Sequence, residues 1–317
     1  MNFRKIDLLS IAVLTMALSC TTASQAASLN GFDLDDGLVH ARDIRRGGPP
    51  RDGIPALTSP RFVAAAAVNY LAPGDRVLGL NIGGEQRAYP IKIMNYHEIV
   101  NDQFGEQSVI LTFCPLCGTG IAFNGTIAGE RYAFGVSGLL YNSDVLMYDR
   151  RTESLWAQVA GQAVTGPMKG TELERLAMAH TTWQAWQAQY PETEVLSINT
   201  GYATDYYRDP YRGYASSSQV WFPVDNRDRR LDTKDLILGL ELDGQFKAYS
   251  FDDLPAGVDR IADELAGRSI VVEYDLEHTS GKVLDDSGTE IPTFIAFWFA
   301  WAAFHPDTEV YEAATSR

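Results

Sequence analysis

Hydrophobic and polar positions along the chain predict many short β-strands. Residues 77–90 and 237–250 each show an apolar run, a Gly-Gly or Asp-Gly pair and a second run. Such pairs between hydrophobic runs are strong signals for a two-residue hairpin turn. Residues 108–113 and 269–274 are rich in β-branched side chains, which is typical of buried strands. The pattern therefore predicts two hairpins, each followed by a buried strand.

A pair of tryptophans follows in each half of the chain. Trp183 and Trp186 are three residues apart, and so are Trp298 and Trp301. This spacing places two indoles on one face of a short helix, where they are expected to belong to the core. Because hairpin, strand and Trp pair recur in the same order, the sequence predicts a strand-rich α+β fold. We expect two similar units that arose by internal duplication.

The first unit is longer than the second between its buried strand and its Trp pair. The added sequence contains a Cys-x-x-Cys motif, and extra sequence on a repeated scaffold predicts a functional insertion. The predicted segments are a signal peptide (1–26), an extended N-terminal segment with a short helix (27–76), the first repeat unit with the insertion (77–200), an aromatic connector (201–236) and the second, shorter repeat unit (237–317).

The aromatic connector is too rich in aromatic residues for a solvated linker. It carries five tyrosines and one tryptophan among Asp and Arg residues, at positions 202, 206, 207, 211, 214 and 221. We expect these rings to pack across the interface between the two units. A ligand-facing aromatic loop is the alternative interpretation.

Composition and charge narrow the class of protein. Hydrophobic residues make up 45% of the 317 residues, which excludes wholesale disorder. The formal net charge is −15, and such an acidic surface repels phosphate backbones and anionic membranes. Nucleic acid is therefore excluded as a partner. The partner is an unidentified small molecule or protein.

The N-terminus has the pattern of a secretory signal peptide. Two basic residues precede an apolar run over residues 8–18, and small residues follow. Cleavage is expected after Ala26 or Ala27, which would place the mature protein in the periplasm or outside the cell. Lipidation and anchoring at Cys20 are the alternative. Since no run reaches about 18 apolar residues, no transmembrane segment is expected.

The most informative motif is Cys114-Pro-Leu-Cys117-Gly118, which follows a predicted strand. A thioredoxin-like motif would begin a helix here, whereas the following glycines disfavour one. The motif is closer to the turns that hold zinc or iron in zinc-ribbon and rubredoxin-type sites. A second Cys pair is absent from the sequence, so further ligands must be His or carboxylate.

His97 is the preferred third ligand because it lies just before the cysteine strand. Two thiolates and one imidazole suit Cu(I) or Zn. A redox-active dithiol and a structural disulfide within a binding module remain alternatives. Whether the protein is an enzyme stays open, because nucleophile-elbow, P-loop, dinucleotide and paired-His metalloprotease motifs are all missing.

Several polar residues near the cysteines are candidates for supporting the site or binding a ligand. Turn formation and a solvated hairpin end are alternative roles for some of them. The candidates are Glu98, Tyr141, Asn142, Asp144, Asp149 and Arg150.

Five separated motifs carry a resemblance to a known family. The chain resembles the domain-of-unknown-function family numbered 3179 over nearly all of its mature length. The resemblance implies an exported bacterial or archaeal protein and implies no activity. The motifs lie at residues 52–57, 95–102, 113–118, 137–143 and 152–156.

Overall fold

The computed structural model describes residues 28–313 and is built almost entirely from β-strands. Strands make up 41% of the structure and helices 9%, in a five-bladed β-propeller arrangement. The α-helices in this range are three seven-residue segments: α1 (Ile91–His97), α2 (Trp183–Gln189) and α3 (Trp298–Phe304). The prediction of an α+β fold made of two duplicated units is therefore wrong, because five sheets carry the core.

In chain order the strands are β1 (Ser28–Leu29), β2 (Phe32–Asp33), β3 (Arg45–Arg46), β4 (Phe62–Ala64), β5 (Arg76–Ile82), β6 (Glu85–Pro90), β7 (Ile99–Phe104), β8 (Gln107–Cys114), β9 (Thr119–Asn124), β10 (Thr126–Ile127), β11 (Glu130–Arg131), β12 (Phe134–Tyr141), β13 (Asp144–Asp149), β14 (Leu155–Ala157), β15 (Gln162–Ala163), β16 (Arg175–Leu176), β17 (Ala179–Thr182), β18 (Glu194–Leu196), β19 (Leu236–Leu242), β20 (Gln245–Ser250), β21 (Arg260–Leu265), β22 (Arg268–Asp275), β23 (Ser280–Asp285), β24 (Glu290–Ile291), β25 (Thr293–Phe297) and β26 (Glu309–Val310). Two 3-10 helices, Ala41–Asp43 and Ala65–Ala67, lie in the N-terminal segment.

Five sheets contain four or five strands each, and their neighbours are mostly antiparallel. The sheet orders are β17-β5-β6-β18-β4, β16-β9-β8-β7, β15-β14-β13-β12-β3, β25-β19-β20-β26 and β21-β22-β23-β24. Strand β18 pairs with β6 in parallel, and β26 pairs with β20 in the same way. The turn after β8 and the turn after β12 meet in the interior, and this meeting creates the candidate site.

The recurring hairpins lie in two of the five sheets, and the recurring buried strands, β8 and β22, lie in two others. A Cβ atom on Gly79 would lie 2.3 Å from the Trp186 ring, and one on Gly239 would lie 2.3 Å from the Trp301 ring. Each indole therefore packs directly on a strand backbone. The motifs form parts of four sheets, and the fifth sheet, β15-β14-β13-β12-β3, contains none of them.

The N-terminal predictions fall partly outside the structure. The signal peptide over residues 1–26 and the alternative lipidation at Cys20 lie outside the described residues. Among residues 28–313, no helix is long and apolar enough to cross a membrane.

The contact between Gly79 and Trp186 yields a stability prediction. Gly79→Ala should lower the free energy of unfolding by about 1–3 kcal/mol, because the added methyl group overpacks the strand against the indole. Chemical denaturation monitored by circular dichroism measures the change. Gly74→Ala is the matched control, since a Cβ there would meet no atom within 4 Å. Equal stability of the two variants would contradict the packing argument.

Candidate metal centre

Cys114 and Cys117 lie on a tight turn between β8 and β9. The Cys117 amide donates to the Cys114 carbonyl at 3.2 Å, which closes the turn. Gly118 follows with a φ of +62°, and a Cβ there would lie 2.9 Å from the Phe297 ring, so glycine is required. Both cysteines are free and buried, and their sulfur atoms are 3.0 Å apart. The turn thus presents two adjacent thiols to the interior.

A second turn approaches the thiols from the β12–β13 hairpin. Asn142 and Ser143 have φ values of 52° and 65°, as a two-residue I′ turn requires. Both residues are buried, which is unusual for a hairpin tip. The Cys117 thiol lies 3.5 Å from the Ser143 carbonyl oxygen and 3.6 Å from Oδ1 of Asp144. The turn therefore places one carbonyl and one carboxyl beside the cysteines.

Cys114, Cys117 and Asp144 form a group that can hold a metal ion. Their ligand atoms all lie within 4.8 Å of one another. Among residues 28–313, this is the one group of His, Cys, Asp or Glu side chains close enough together to hold a metal ion. The Val159 amide donates to Asp144 Oδ2 at 2.9 Å and fixes the carboxyl orientation. Two sulfurs and one carboxylate oxygen are ligand types found at zinc sites.

Burial makes the ionised forms of this group costly. It raises the pKa of Asp144 to about 7, and it raises the pKa of both thiols, that of Cys117 strongly. Burial, followed by the nearby Asp144 charge, raises the pKa of Glu98 to about 8. Four acidic groups thus share a dry space. A bound cation would favour the ionised forms of these thiols and carboxyls. Without a cation, the groups stay neutral by keeping their protons.

Glu98 reaches this space from the C-terminal end of α1. It has a φ of 55°, a left-handed conformation that a non-glycine residue adopts at a cost. The Phe113 amide donates to its carbonyl at 2.7 Å, which ties Glu98 to the strand that carries Cys114. Glu98 lies outside the 4.8 Å ligand group but interacts electrostatically with Asp144. It is therefore a neighbour of the candidate ligands.

The aromatic connector covers the site. The Tyr214 ring lies 6.4 Å from that of Phe297, which packs against Gly118 of the cysteine turn. Burial, followed by the Cys117 and Cys114 charges, raises the pKa of Tyr214. The Tyr214 hydroxyl is buried beside the Trp221 backbone, and the buried Ser143 hydroxyl has no protein hydrogen-bond partner. The Lys234 ammonium lies 3.2 Å from the Tyr214 ring centroid and holds that ring by a cation–π contact.

His97 is placed away from the ligand group. Its Nδ1 lies 2.7 Å from the Pro55 carbonyl oxygen, which can only accept, so Nδ1 carries the proton. Nε2 then accepts from the Tyr206 hydroxyl at 2.6 Å. Burial lowers the pKa of His97, which favours this neutral form. Both ring nitrogens are engaged, and the group that the structure brings together contains Asp144 and not His97.

Tyr141 and Asn142 border the site without joining the ligand group. The Tyr141 ring packs edge-on against Phe304, with centroids 5.6 Å apart. Asn142 Oδ1 accepts from the Asp225 amide at 2.8 Å, which attaches the aromatic connector to the hairpin tip. These residues position the turn and its cover.

Asp149 and Arg150 lie at the far end of the same hairpin. Asp149 accepts from the Trp156 indole at 2.9 Å and from the Thr152 hydroxyl at 2.7 Å. Arg150 pairs with Asp52 at 2.8 Å. Both residues stabilise the chain around the hairpin end, and their contacts connect neither of them to the thiols.

Sequence reasoning missed Asp144 as a ligand and Tyr214 as the cover. Asp144 follows a turn-forming Asn-Ser pair, which by itself predicts only a hairpin. The available signal was that this hairpin lies in the same insertion as the cysteines. Its position in the fold depends on pairing between distant strands.

The raised carboxyl pKa values predict how stability varies with pH. Between about pH 4 and pH 7, the folded metal-free protein keeps protons that the unfolded chain has released from Asp144 and Glu98. Its free energy of unfolding should therefore fall as pH rises through this window. Asp144→Asn should flatten the decline in urea denaturation at pH 5 and pH 8.

The exposed Asp307 supplies the control for that experiment. Asp307→Asn should keep the wild-type decline, because its carboxyl is solvated in both states. An identical pH slope for wild type and Asp144→Asn would contradict a buried, protonated Asp144.

Comparison with known proteins gives a family and no close relative of described function. A family model described as "Protein of unknown function (DUF3179)" matches residues 51–287, well over half of the chain. No curated protein and no solved structure matches it. The matched span includes the cysteine turn, the β12–β13 hairpin and the aromatic connector. The chain therefore belongs to the DUF3179 family, as its sequence motifs indicate.

Proposed function

We propose that this protein binds one zinc ion through Cys114, Cys117 and Asp144. The observation that carries the proposal is the convergence of their three ligand atoms within 4.8 Å in a fully buried space. Zinc accepts both thiolate and carboxylate ligands, whereas Cu(I) prefers soft ligands alone. The carboxylate therefore favours zinc over copper, the other metal that the cysteine pair suits.

Zinc binding would offset the cost of ionising the buried thiols and carboxyl. The ligands must lose their protons to bind, so the ion replaces protons on three groups whose pKa values burial has raised. Three protein ligands leave a fourth position for water or another small ligand. Tyr214 interacts electrostatically with both thiols, and its buried hydroxyl is a donor group for such a ligand.

Metal analysis of the mature protein tests the proposal. We expect about one zinc per chain after purification without chelator. Cys114→Ser should abolish binding, and Asp144→Asn should weaken it by at least about 10–100-fold, since loss of a supporting group alone has that effect. Competition with a zinc-sensitive dye gives the affinities. Asp307→Asn, an exposed carboxylate far along the chain, is the matched control.

A second arm of the experiment separates Asp144 from His97. His97→Gln should keep the zinc content, because the imidazole nitrogens bond to Pro55 and Tyr206 instead. Loss of zinc in a folded His97→Gln protein, with zinc retained in Asp144→Asn, would assign the third ligand to the histidine. Copper in place of zinc would change the metal assigned to the site.

A thiol–disulfide function is the second candidate. The 3.0 Å separation of the two sulfurs favours it, since the thiols are already adjacent. The raised pKa of both thiols opposes it, because reactive cysteines hold their thiolate form at neutral pH. A purified protein with no zinc and no titratable thiols under denaturing conditions would support a disulfide over the metal centre.

We further propose that the protein is exported to the periplasm or beyond. The support is the basic and apolar pattern of residues 1–26, followed by small residues. An oxidising compartment would add a role for zinc, since a bound metal protects adjacent thiols from disulfide formation.

Mass spectrometry of the protein recovered from its producing cells tests export. The mature chain should begin near Ala27 or Ser28, because cleavage follows small residues at the end of the signal peptide. A lipidated Cys20 would indicate membrane anchoring instead. A chain that still begins at Met1 would contradict export.

A further inference from the structure

A second site is suggested by a cleft of about 700 Å³ that is separate from the thiols. One wall comprises β17 and α2, and the other comprises β22 and β23. Arg76 holds the walls together, because its guanidinium donates to the His180 carbonyl on one side and to the Thr279 carbonyl on the other. It also donates to the His278 carbonyl. The cleft is therefore a built feature of the fold.

Carboxylates outnumber cations around this cleft. Arg260 and Lys282 each lie 3.1 Å from a Glu273 oxygen, and Arg260 also lies 4.0 Å from Asp259. The remaining carboxylates leave the rim with negative charge. The charged lining residues are Asp259, Glu273, Asp275 and Glu290 against Arg260 and Lys282.

The inner wall adds an uncharged polar group and aromatic rings. His180 is buried, and its Nδ1 has no hydrogen-bond partner in the protein. Burial and the nearby Arg76 charge hold the pKa of His180 well below its ordinary value, so the imidazole stays neutral. Tyr190 and Tyr274 also line the cleft. Aromatic rings beside carboxylates attract organic cations.

We propose that this cleft binds an organic cation carrying ammonium or guanidinium groups, such as a polyamine. The negative rim attracts a cation and repels anions. The cleft is poorly suited to a bare metal ion. Among residues 28–313, the side chains close enough together to hold one are Cys114, Cys117 and Asp144, which lie outside the cleft. This site is independent of the proposed zinc centre.

Calorimetric titration of the mature protein with spermidine tests the cleft. Asp259→Asn combined with Asp275→Asn should weaken binding about three- to tenfold, because each exposed ion pair contributes modestly. Asn keeps the oxygen that accepts from the His278 amide at position 275. The charge-matched control is Asp252→Asn with Asp286→Asn, two exposed carboxylates outside the cleft lining.

The control pair separates a site from general attraction to an acidic protein. Equal weakening by both double variants would mean non-specific attraction and would overturn the proposal. Ala188→Trp, an exposed position on the α2 wall, should block the cleft and abolish binding. Undetectable spermidine binding, or binding of citrate or maltose instead, would also overturn it.

Discussion

The candidate site depends on one electrostatic constraint: acidic groups buried together need a cation or protons. Cys114, Cys117, Asp144 and Glu98 are buried side chains, and burial raises the pKa of each. An unpaired buried charge is among the most costly features a fold can contain. The surrounding chain is arranged to keep these groups close despite that cost, and this favours a metal-binding role over a purely structural one.

Local backbone geometry supports this arrangement. Glu98, Asn142 and Ser143 all adopt left-handed conformations without being glycine. Such residues cluster at functional sites, where the surrounding contacts hold them in place. Here the contacts are a strand amide from Phe113 and a connector amide from Asp225. The strained turns are therefore secured by the same segments that enclose the thiols.

The sequence predicted local features well and long-range placement poorly. Hairpins at residues 77–90 and 237–250 form as expected, because turn chemistry is local. The Cys turn with its Gly118 was readable for the same reason. The arrangement of the five sheets could not be predicted from the sequence, since it depends on pairings between distant strands. His97 was chosen by its proximity in sequence to the cysteines, while Asp144 is brought to them through the packing of a separate hairpin.

The aromatic cover also gives the molecule an optical property. Trp221 is half exposed, whereas the other five tryptophans are buried. Its ring centroid lies 4.7 Å from that of Tyr214 and 6.1 Å from that of Tyr211. Burial raises the pKa of both tyrosines, with smaller effects from Glu98 and Cys114 on Tyr211 and from both thiols on Tyr214. A fluorophore of distinct solvent exposure therefore sits on the cover itself. A change in the packing of Tyr214 or Tyr211 would alter the surroundings of this indole, the one exposed tryptophan of the six.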